Sequence, residues 1–270
     1  GGRMFAQVHS RGLNTLFSFE SSLPWDKWDV WKEFRNQPLD EQARQLRDPA
    51  IRNKLVEIAN AEYKGPRVVG AELRPPAWEF VYPMDDMEYD KPSMAELASA
   101  KGVTPIELMI DMALEKDLKM FFRAPIANEI MEPVIEMIKH PRSVCTFSDS
   151  GAHVSQIIDS SLQTHLLSYW VREKEAISLE DAIRQITYNT STLWGLHDRG
   201  LIREGMAADM VVFDPETVGP NMPEVVNDLP AGARRLKQTA TGIRNTVVNG
   251  EILLSNNEHT GAASGRLLRS

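Results

Sequence analysis

The stretch "SVCTFSDSGAHV", residues 143–154, joins an apolar, β-prone run to a polar segment. Four polar side chains surround Gly151 where the predicted strand ends: Ser148, Asp149, Ser150 and His153. In parallel α/β folds, and above all in (β/α)8 barrels, catalytic groups lie at the carboxyl ends of strands. Asp149 is therefore a candidate metal ligand and proton carrier, and the alternative is that it caps the turn or the helix that follows.

A β-α-β pattern leads into this stretch. Residues 118–124, "LKMFFRA", predict a strand, and residues 128–140, "NEIMEPVIEMIKH", predict a helix capped by Asn128. The run "SVCTF" at 143–147 then predicts the next strand, which implies parallel strands joined by a right-handed crossover.

Further helices are predicted on both sides. Alternating charge and helical spacing before residue 62 predict two helices, broken near Pro49, and short strands are expected at 67–73 and 78–84. Capping boxes predict helices that start after Ser93 and Thr104, the first ending at Gly102. Beyond His153, two more helices are expected, the second starting at Ser178 and ending near Gly195.

The last seventy residues have a different sequence pattern from the rest of the chain. Short strands alternate with Gly, Asn and Pro, and "VNGE" at 248–251 predicts an Asn-Gly hairpin turn. We interpret residues 1–197 as one unit that includes a helical insertion and residues 198–270 as part of a small β domain.

Composition excludes several classes. The chain has 270 residues, 42% of them hydrophobic, with 30 Lys and Arg against 38 Asp and Glu. We expect no nucleic-acid partner, because no basic run could follow a phosphate backbone. No apolar run approaches the roughly 20 residues that span a bilayer, so no membrane role is expected. The single cysteine, Cys145, favours a cytoplasmic protein, and it is expected to act as a small buried hydrophobe rather than a nucleophile.

The motifs of the second half resemble a known family. "FSDSGAHV" is followed by "GLHDRGLIREGMAADMVVFD" at 195–214 and by "VVNGE" at 247–251. Together they resemble the amidohydrolase superfamily, closest to the N-acyl-D-amino-acid deacylases, over roughly residues 90–270. The resemblance implies an α/β fold: the C-terminal part of a (β/α)8 TIM-like barrel, followed by strands of a small β-sandwich.

The resemblance also implies an activity and roles for residues. It implies a zinc-dependent hydrolase of linear amide bonds that acts on N-acyl amino acids. Asp149 matches the aspartate that ends the last barrel strand and acts as metal ligand, general base and general acid. His153 falls in the "GAH" that follows and is a candidate for the substrate pocket together with Ser150, or it is hydrogen-bonded within a loop. Gly205 and Asp209 are expected to be structural.

The chain departs from the family at the metal. The superfamily binds metal through a His-x-His pair, a bridging Lys or Cys, and further histidines, and none of these is recognisable here. Since zinc sites need three or four ligands, Asp149 alone will not hold the ion. We expect the remaining ligands in a missing N-terminal half of the barrel, in the same or another chain. The isolated chain is then inactive.

The segment "QVHSRG" at 7–12 is a second candidate site. Arg11 could hold a substrate carboxylate as a bidentate fork, or it could form a surface salt bridge. His9 could line the same pocket. The leading hypothesis is therefore a metal-dependent deacylase, and the alternative is a noncatalytic scaffold or assembly subunit that lacks the metal site.

Overall fold

The computed structural model describes residues 2, 4–61 and 76–267. The helices are α1 Asp29–Arg35, α2 Leu39–Leu46, α3 Pro49–Asn60, α4 Met94–Lys101, α5 Pro105–Glu115, α6 Glu132–Lys139, α7 Leu162–His165, α8 Leu179–Ile186 and α9 Tyr188–Leu193. A π-helical segment, Leu166–Glu173, continues α7. The strands are β1 Ala6–Val8, β2 Leu13–Phe17, β3 Tyr82–Met84, β4 Phe121–Ala127, β5 Ser143–Cys145, β6 Met210–Phe213, β7 Gly219–Pro220, β8 Glu224–Val226, β9 Arg235–Lys237, β10 Ala240–Thr241, β11 Ile243–Val248, β12 Glu251–Ser255 and β13 Glu258–His259. The fold is α/β.

Local signals place most helices where the sequence predicts them. Ser93 and Thr104 each form a complete capping box, and Gly102 ends α4 in the left-handed conformation. The predicted break near Pro49 is the start of α3, where Asp48 Oδ1 accepts a hydrogen bond from the Ala50 amide at 2.8 Å. The region before residue 62 forms three helices rather than two, because α1 precedes α2.

Two predictions for the central segment are wrong. β4 does not pair with β5; it lies antiparallel between β2 and β3, and β5 pairs in parallel with β1. Asn128 does not cap α6, whose N-cap is Met131. The Asn128 backbone is left-handed, and its side chain donates to the Arg11 carbonyl at 3.2 Å, so it is not available to the helix.

The other expected strands have mixed outcomes. The predicted strand at 67–73 lies outside the described residues. The run 78–84 forms a 3₁₀ turn, Trp78–Phe80, before β3. The Asn-Gly hairpin is confirmed: Asn249 and Gly250 both have positive φ, 48° and 85°, between β11 and β12.

The C-terminal strands form an antiparallel sheet in the order β13-β12-β11-β6, with the separate pairs β7–β10 and β8–β9. Asp209 fixes this region, since its carboxylate accepts from Arg199 and from the Asn249 amide at 2.8 Å. The structural role expected for Asp209 is confirmed. Within the part of the chain that is described, no helix is long and apolar enough to cross a membrane.

The core has two main parts. One joins the N-terminal helices to β2 and β4 and contains the stacked rings of Trp25 and Trp31, with centroids 5.0 Å apart. The other joins β1 and β5 to α6, α8 and the π-helical segment, and it contains Val8, Ile138 and Cys145. The second part positions the candidate site, because it packs beneath the carboxyl ends of β1 and β5.

Candidate functional site

The carboxyl ends of β1 and β5 lie side by side. The two strands are parallel and in register, with Val8 opposite Cys145. Beyond the ladder, the Phe147 amide donates to the Val8 carbonyl at 3.3 Å, and the rings of His9 and Phe147 meet edge to face with centroids 6.4 Å apart. Residues that follow both strands therefore meet at one edge of this pair.

Asp149 and His153 occupy one helical turn at this edge. The Ala152 and His153 amides donate to the Asp149 carbonyl at 3.1 and 3.2 Å. His153 Nε2 lies 3.6 Å from Asp149 Oδ2, and both side chains are partly open to solvent. The Asp149 carbonyl forms the turn, and its carboxylate faces His153. This arrangement leaves the carboxylate available for chemistry.

Neighbouring segments hold this turn in place. The Leu236 amide of β9 donates to the Val154 carbonyl at 2.8 Å, and the Leu16 amide of β2 donates to the Gln156 carbonyl at 2.8 Å. Ser150, the remaining candidate of the turn, is half-buried, and its hydroxyl lies 2.9 Å from that of Ser148. The turn is therefore anchored through its backbone from two sides.

Arg11 and His9 lie deeper than the turn. Arg11 is 0% exposed, so the alternative of a surface salt bridge is wrong. Its Nη2 donates to the Ile158 carbonyl at 2.9 Å, and its Nη1 donates to the Tyr89 hydroxyl. His9 is also buried, and its Nδ1 accepts from the Arg11 amide at 3.2 Å. The segment after β1 thus places His9 against Phe147 and Arg11 against Tyr89 and Ile158.

His165 is buried beside this segment. Its ring stacks on Tyr169 with centroids 5.0 Å apart and meets the edge of Tyr89 at 4.5 Å. Its Nδ1 is 3.5 Å from Ser10 Oγ. Burial, followed by the charges of Arg11, His9 and Arg123, holds the pKa of His165 well below its ordinary value. His165 is therefore neutral in the folded protein near pH 7.

Sequence reasoning missed Arg123 and Tyr89. Arg123 is 7% exposed, and its guanidinium carbon lies 4.3 Å from the centroid of the Tyr89 ring and 4.7 Å from that of Tyr82. Its Nη2 donates to the Tyr89 carbonyl at 3.0 Å. The signal available in the sequence was a single charge inside the apolar strand "MFFRAPIA".

The described donors alone do not fit a zinc site. Among residues 2, 4–61 and 76–267, no three His, Cys, Asp or Glu side chains are grouped so that they could hold a metal ion. Asp149 and His153 contribute two donors at most, and a zinc ion needs three or four.

The other reactive side chains lie away from this edge or are inert. Burial raises the pKa of Cys145 to about 12, which supports its interpretation as a small hydrophobe. His140, His197 and His259 are exposed, as expected.

The structure combines an α/β fold with a carboxylate near the carboxyl end of one of two parallel strands, the position at which catalytic groups lie in (β/α)8 barrels. The sequence profile of the Amidohydrolase family matches residues 10–254, and the chain belongs to that family.

Two curated relatives come from Alcaligenes xylosoxydans xylosoxydans. Its N-acyl-D-aspartate deacylase is 32% identical over 130 residues, covering 48% of this chain and 22% of the relative. Its N-acyl-D-glutamate deacylase is 37% identical over 87 residues, covering 32% and 16%. The matched stretch is thus about a fifth of the length of these relatives.

Solved structures give a weaker likeness. A D-aminoacylase structure has a TM-score of 0.44 at 20% identity, covering 70% of this chain and 38% of that one. An N-acyl-D-glutamate deacylase from Bordetella bronchiseptica, complexed with zinc and a phosphonate inhibitor, has a TM-score of 0.43 at 21% identity, covering 72% and 38%. Neither likeness is close enough to assign the fold.

Proposed function

We propose that the protein to which this chain belongs is a metal-dependent hydrolase of linear amide bonds that deacylates N-acyl-D-amino acids. The observation that carries the proposal is the position of Asp149, half-exposed at the carboxyl end of β5 beside the end of parallel β1, in a chain of the Amidohydrolase family. The names of the two curated deacylases support the choice of substrate.

The proposed barrel is consistent with this position. Residues 1–197 would form the C-terminal part of a (β/α)8 barrel, and residues 198–270 would contribute strands to a β-sandwich. The parallel pair β1–β5 supports the barrel, whereas the antiparallel pairing of β4 with β2 and β3 would belong to the insertion.

Asp149 would move the proton. As a carboxylate at a solvent-open position, it can accept a proton from the attacking water and return it to the departing nitrogen. His153 lies 3.6 Å from one carboxylate oxygen and would orient the carboxylate for both steps. The atoms of the reaction balance, because the water molecule supplies a hydroxyl to the acyl carbon and a proton to the departing amine.

Zinc is proposed as the cofactor, with Asp149 as one ligand. Since the described donors do not complete a site, the other ligands would come from outside these residues, in the same or another chain.

Substrate would bind between the Asp149 turn and the segment after β1. His9 contacts Phe147 and would line this space, together with His153 and Ser150. Arg11 would pair with the carboxylate of an N-acyl amino acid from the interior side, where its guanidinium donates to the Tyr89 hydroxyl and the Ile158 carbonyl.

The test is hydrolysis and metal content measured together. The full-length protein that contains this chain should release D-amino acid from an N-acetyl-D-amino acid, and it should carry zinc by plasma emission spectrometry. Residues 1–270 expressed alone should carry far less zinc. A full-length protein that neither binds zinc nor hydrolyses any N-acyl-D-amino acid would exclude the proposal.

The second candidate is a noncatalytic scaffold or assembly subunit. It is favoured by the lack of three grouped metal donors among the described residues. The same experiment separates the two candidates, because a scaffold would show neither zinc nor turnover in the full-length form.

A further inference from the structure

The Asp149 turn has little packing of its own. None of residues 147–153 is buried, and the interior resumes only at Ile157 and Ile158, each 3% exposed. Segments with few buried apolar contacts open locally at a low cost in free energy. The position of the Asp149 carboxylate therefore depends on how the backbone of the turn is held.

One hydrogen bond from another segment reaches the middle of this turn. The His153 carbonyl accepts from the amides three and four residues further on, both at 3.0 Å, so a second turn follows directly on the first. At the junction, the Val154 carbonyl accepts from the Leu236 amide at 2.8 Å. Within the described part of the chain, Val154 is the one residue of 148–155 whose backbone bonds to another segment. The Leu236 amide is thus the contact that ties the turn to the rest of the fold between its two ends.

The β8–β9 hairpin presents this amide from a fixed scaffold. Leu236 lies opposite Val225 in the antiparallel ladder, in the kind of pair whose amides point away from the partner strand. Both side chains pack against the buried cluster that contains Ile158. At the loop end of the hairpin, the Arg235 guanidinium donates to both carboxylate oxygens of Asp228, at 2.6 and 2.7 Å. The hairpin therefore holds the Leu236 amide in place before any substrate binds.

We propose that the β8–β9 hairpin is a positioning element of the candidate active site, with Leu236 as the positioning residue. Its amide fixes Val154, and Val154 fixes the turn that carries Asp149. This inference rests on the proposed function and adds to it a control exerted by the C-terminal strands, through a backbone amide that touches neither the substrate nor the reacting atoms. A misplacement of about 1 Å can lower turnover by about 10²-fold, so a single hydrogen bond at this point is sufficient to change the rate of the reaction.

The test removes the Leu236 amide hydrogen from the full-length protein. Leucic acid, the α-hydroxy analogue of leucine, is introduced at position 236 by nonsense suppression; it deletes the N–H group and keeps the side chain. Leu236→Pro removes the same hydrogen with a natural residue. In both variants kcat on an N-acetyl-D-amino acid should fall by about 10–100-fold while KM changes far less, because the hydrogen bond orients the proton carrier and does not contact the substrate.

Two controls separate the amide from the stability of the hairpin. Leucine inserted at position 236 by the same suppression should restore the wild-type kcat. Val225→Ala removes packing against the buried cluster but no amide, so it should lower the melting temperature and leave kcat nearly unchanged. A fall in kcat as large in Val225→Ala as in the position-236 variants would overturn the inference, because kcat would then follow the stability of the hairpin.

Hydrogen-deuterium exchange of the peptide that covers residues 147–157 gives a readout that needs no turnover. Exchange there should be faster in the two position-236 variants than in the wild type and Val225→Ala, because the turn opens more often. Unchanged exchange, or faster exchange with an unchanged kcat, would contradict the inference. A wild type that hydrolyses no N-acyl-D-amino acid rejects the proposed function separately, and the exchange result then decides whether the hairpin holds the turn.

Discussion

Asp149 is the side chain on which the proposed reaction depends most directly. Asp149→Asn keeps the shape of the side chain but cannot accept a proton, so turnover of the full-length protein should fall by about 10²–10⁴-fold. The turn itself is formed by the Asp149 carbonyl, so thermal unfolding should change little. The measurement is kcat on N-acetyl-D-amino acids beside a melting curve. A variant that melts much earlier and loses activity only in proportion would assign Asp149 to the turn.

At the same scale, the sequence predicted some side chains better than others. Asp149 and His153 could be recognised as a candidate site because they belong to one motif and lie only four positions apart in the sequence. Arg123 and His165 were not, since each gains its environment from segments far along the chain: Tyr89 for Arg123, and Ser10 and Tyr89 for His165. A single sequence does not indicate which side chains from distant segments will pack against a given charged residue.

At the scale of elements, local sequence signals predicted helix ends and turns correctly, but the pairing of strands was predicted wrongly. The capping boxes at Ser93 and Thr104 and the Asn249-Gly250 turn depend on residues within a few positions of one another. The pairing of Leu16 with Arg123 joins residues more than a hundred positions apart. β4 reads equally well as a parallel or an antiparallel strand, so the β-α-β prediction had no local signal to correct it.

Gly242 controls how β10 connects to β11. Its φ is +77°, and a Cβ there would lie 2.5 Å from both the Cα and the nitrogen of Val218, which are backbone atoms and cannot swing aside. Gly242→Ala should therefore lower the free energy of unfolding by more than the roughly 1–2 kcal/mol that left-handed strain alone costs. Chemical denaturation measures the difference.

Gly261→Ala is the matched control for this substitution. Its φ is also positive, +92°, but nothing lies within 4 Å of the added carbon, so it isolates the strain. Equal destabilisation by the two substitutions would contradict the close approach of Val218 to Gly242.

At the scale of the whole molecule, the candidate site depends on segments from most of the described chain. Trp170 of the π-helical segment donates to the Ser10 carbonyl at 2.5 Å, β9 holds Val154, and β4 supplies Arg123. The site is thus linked to global stability, and a change that loosens the interior should loosen the site as well.

His165 makes the stability of the protein, and with it the order of the candidate site, depend on pH. Its pKa in the folded protein is well below the ordinary value of 6.5, so below about pH 6.5 the unfolded chain binds a proton that the folded chain does not. The free energy of unfolding should fall as pH drops below 6.5, by up to about 1.4 kcal/mol per pH unit, and this group adds no slope above it. Carboxylates with lowered pKa values, such as Asp85 and Asp90, lose their contribution at lower pH, below about 4.

The two ranges can be separated by denaturation curves measured between pH 4.5 and 8, roughly the interval in which histidines titrate and most carboxylates do not. His165→Gln is neutral at every pH and should flatten the slope between about pH 5 and 6.5. Its stability at pH 8 should still fall, because the stacked contact with Tyr169 is lost. His140→Gln, at an exposed position, controls for the loss of a histidine. If His165→Gln keeps the full slope of the free energy of unfolding against pH, the acid sensitivity comes from another group. The interior around Arg11 and Arg123 would then accept a third positive charge more readily than its burial implies.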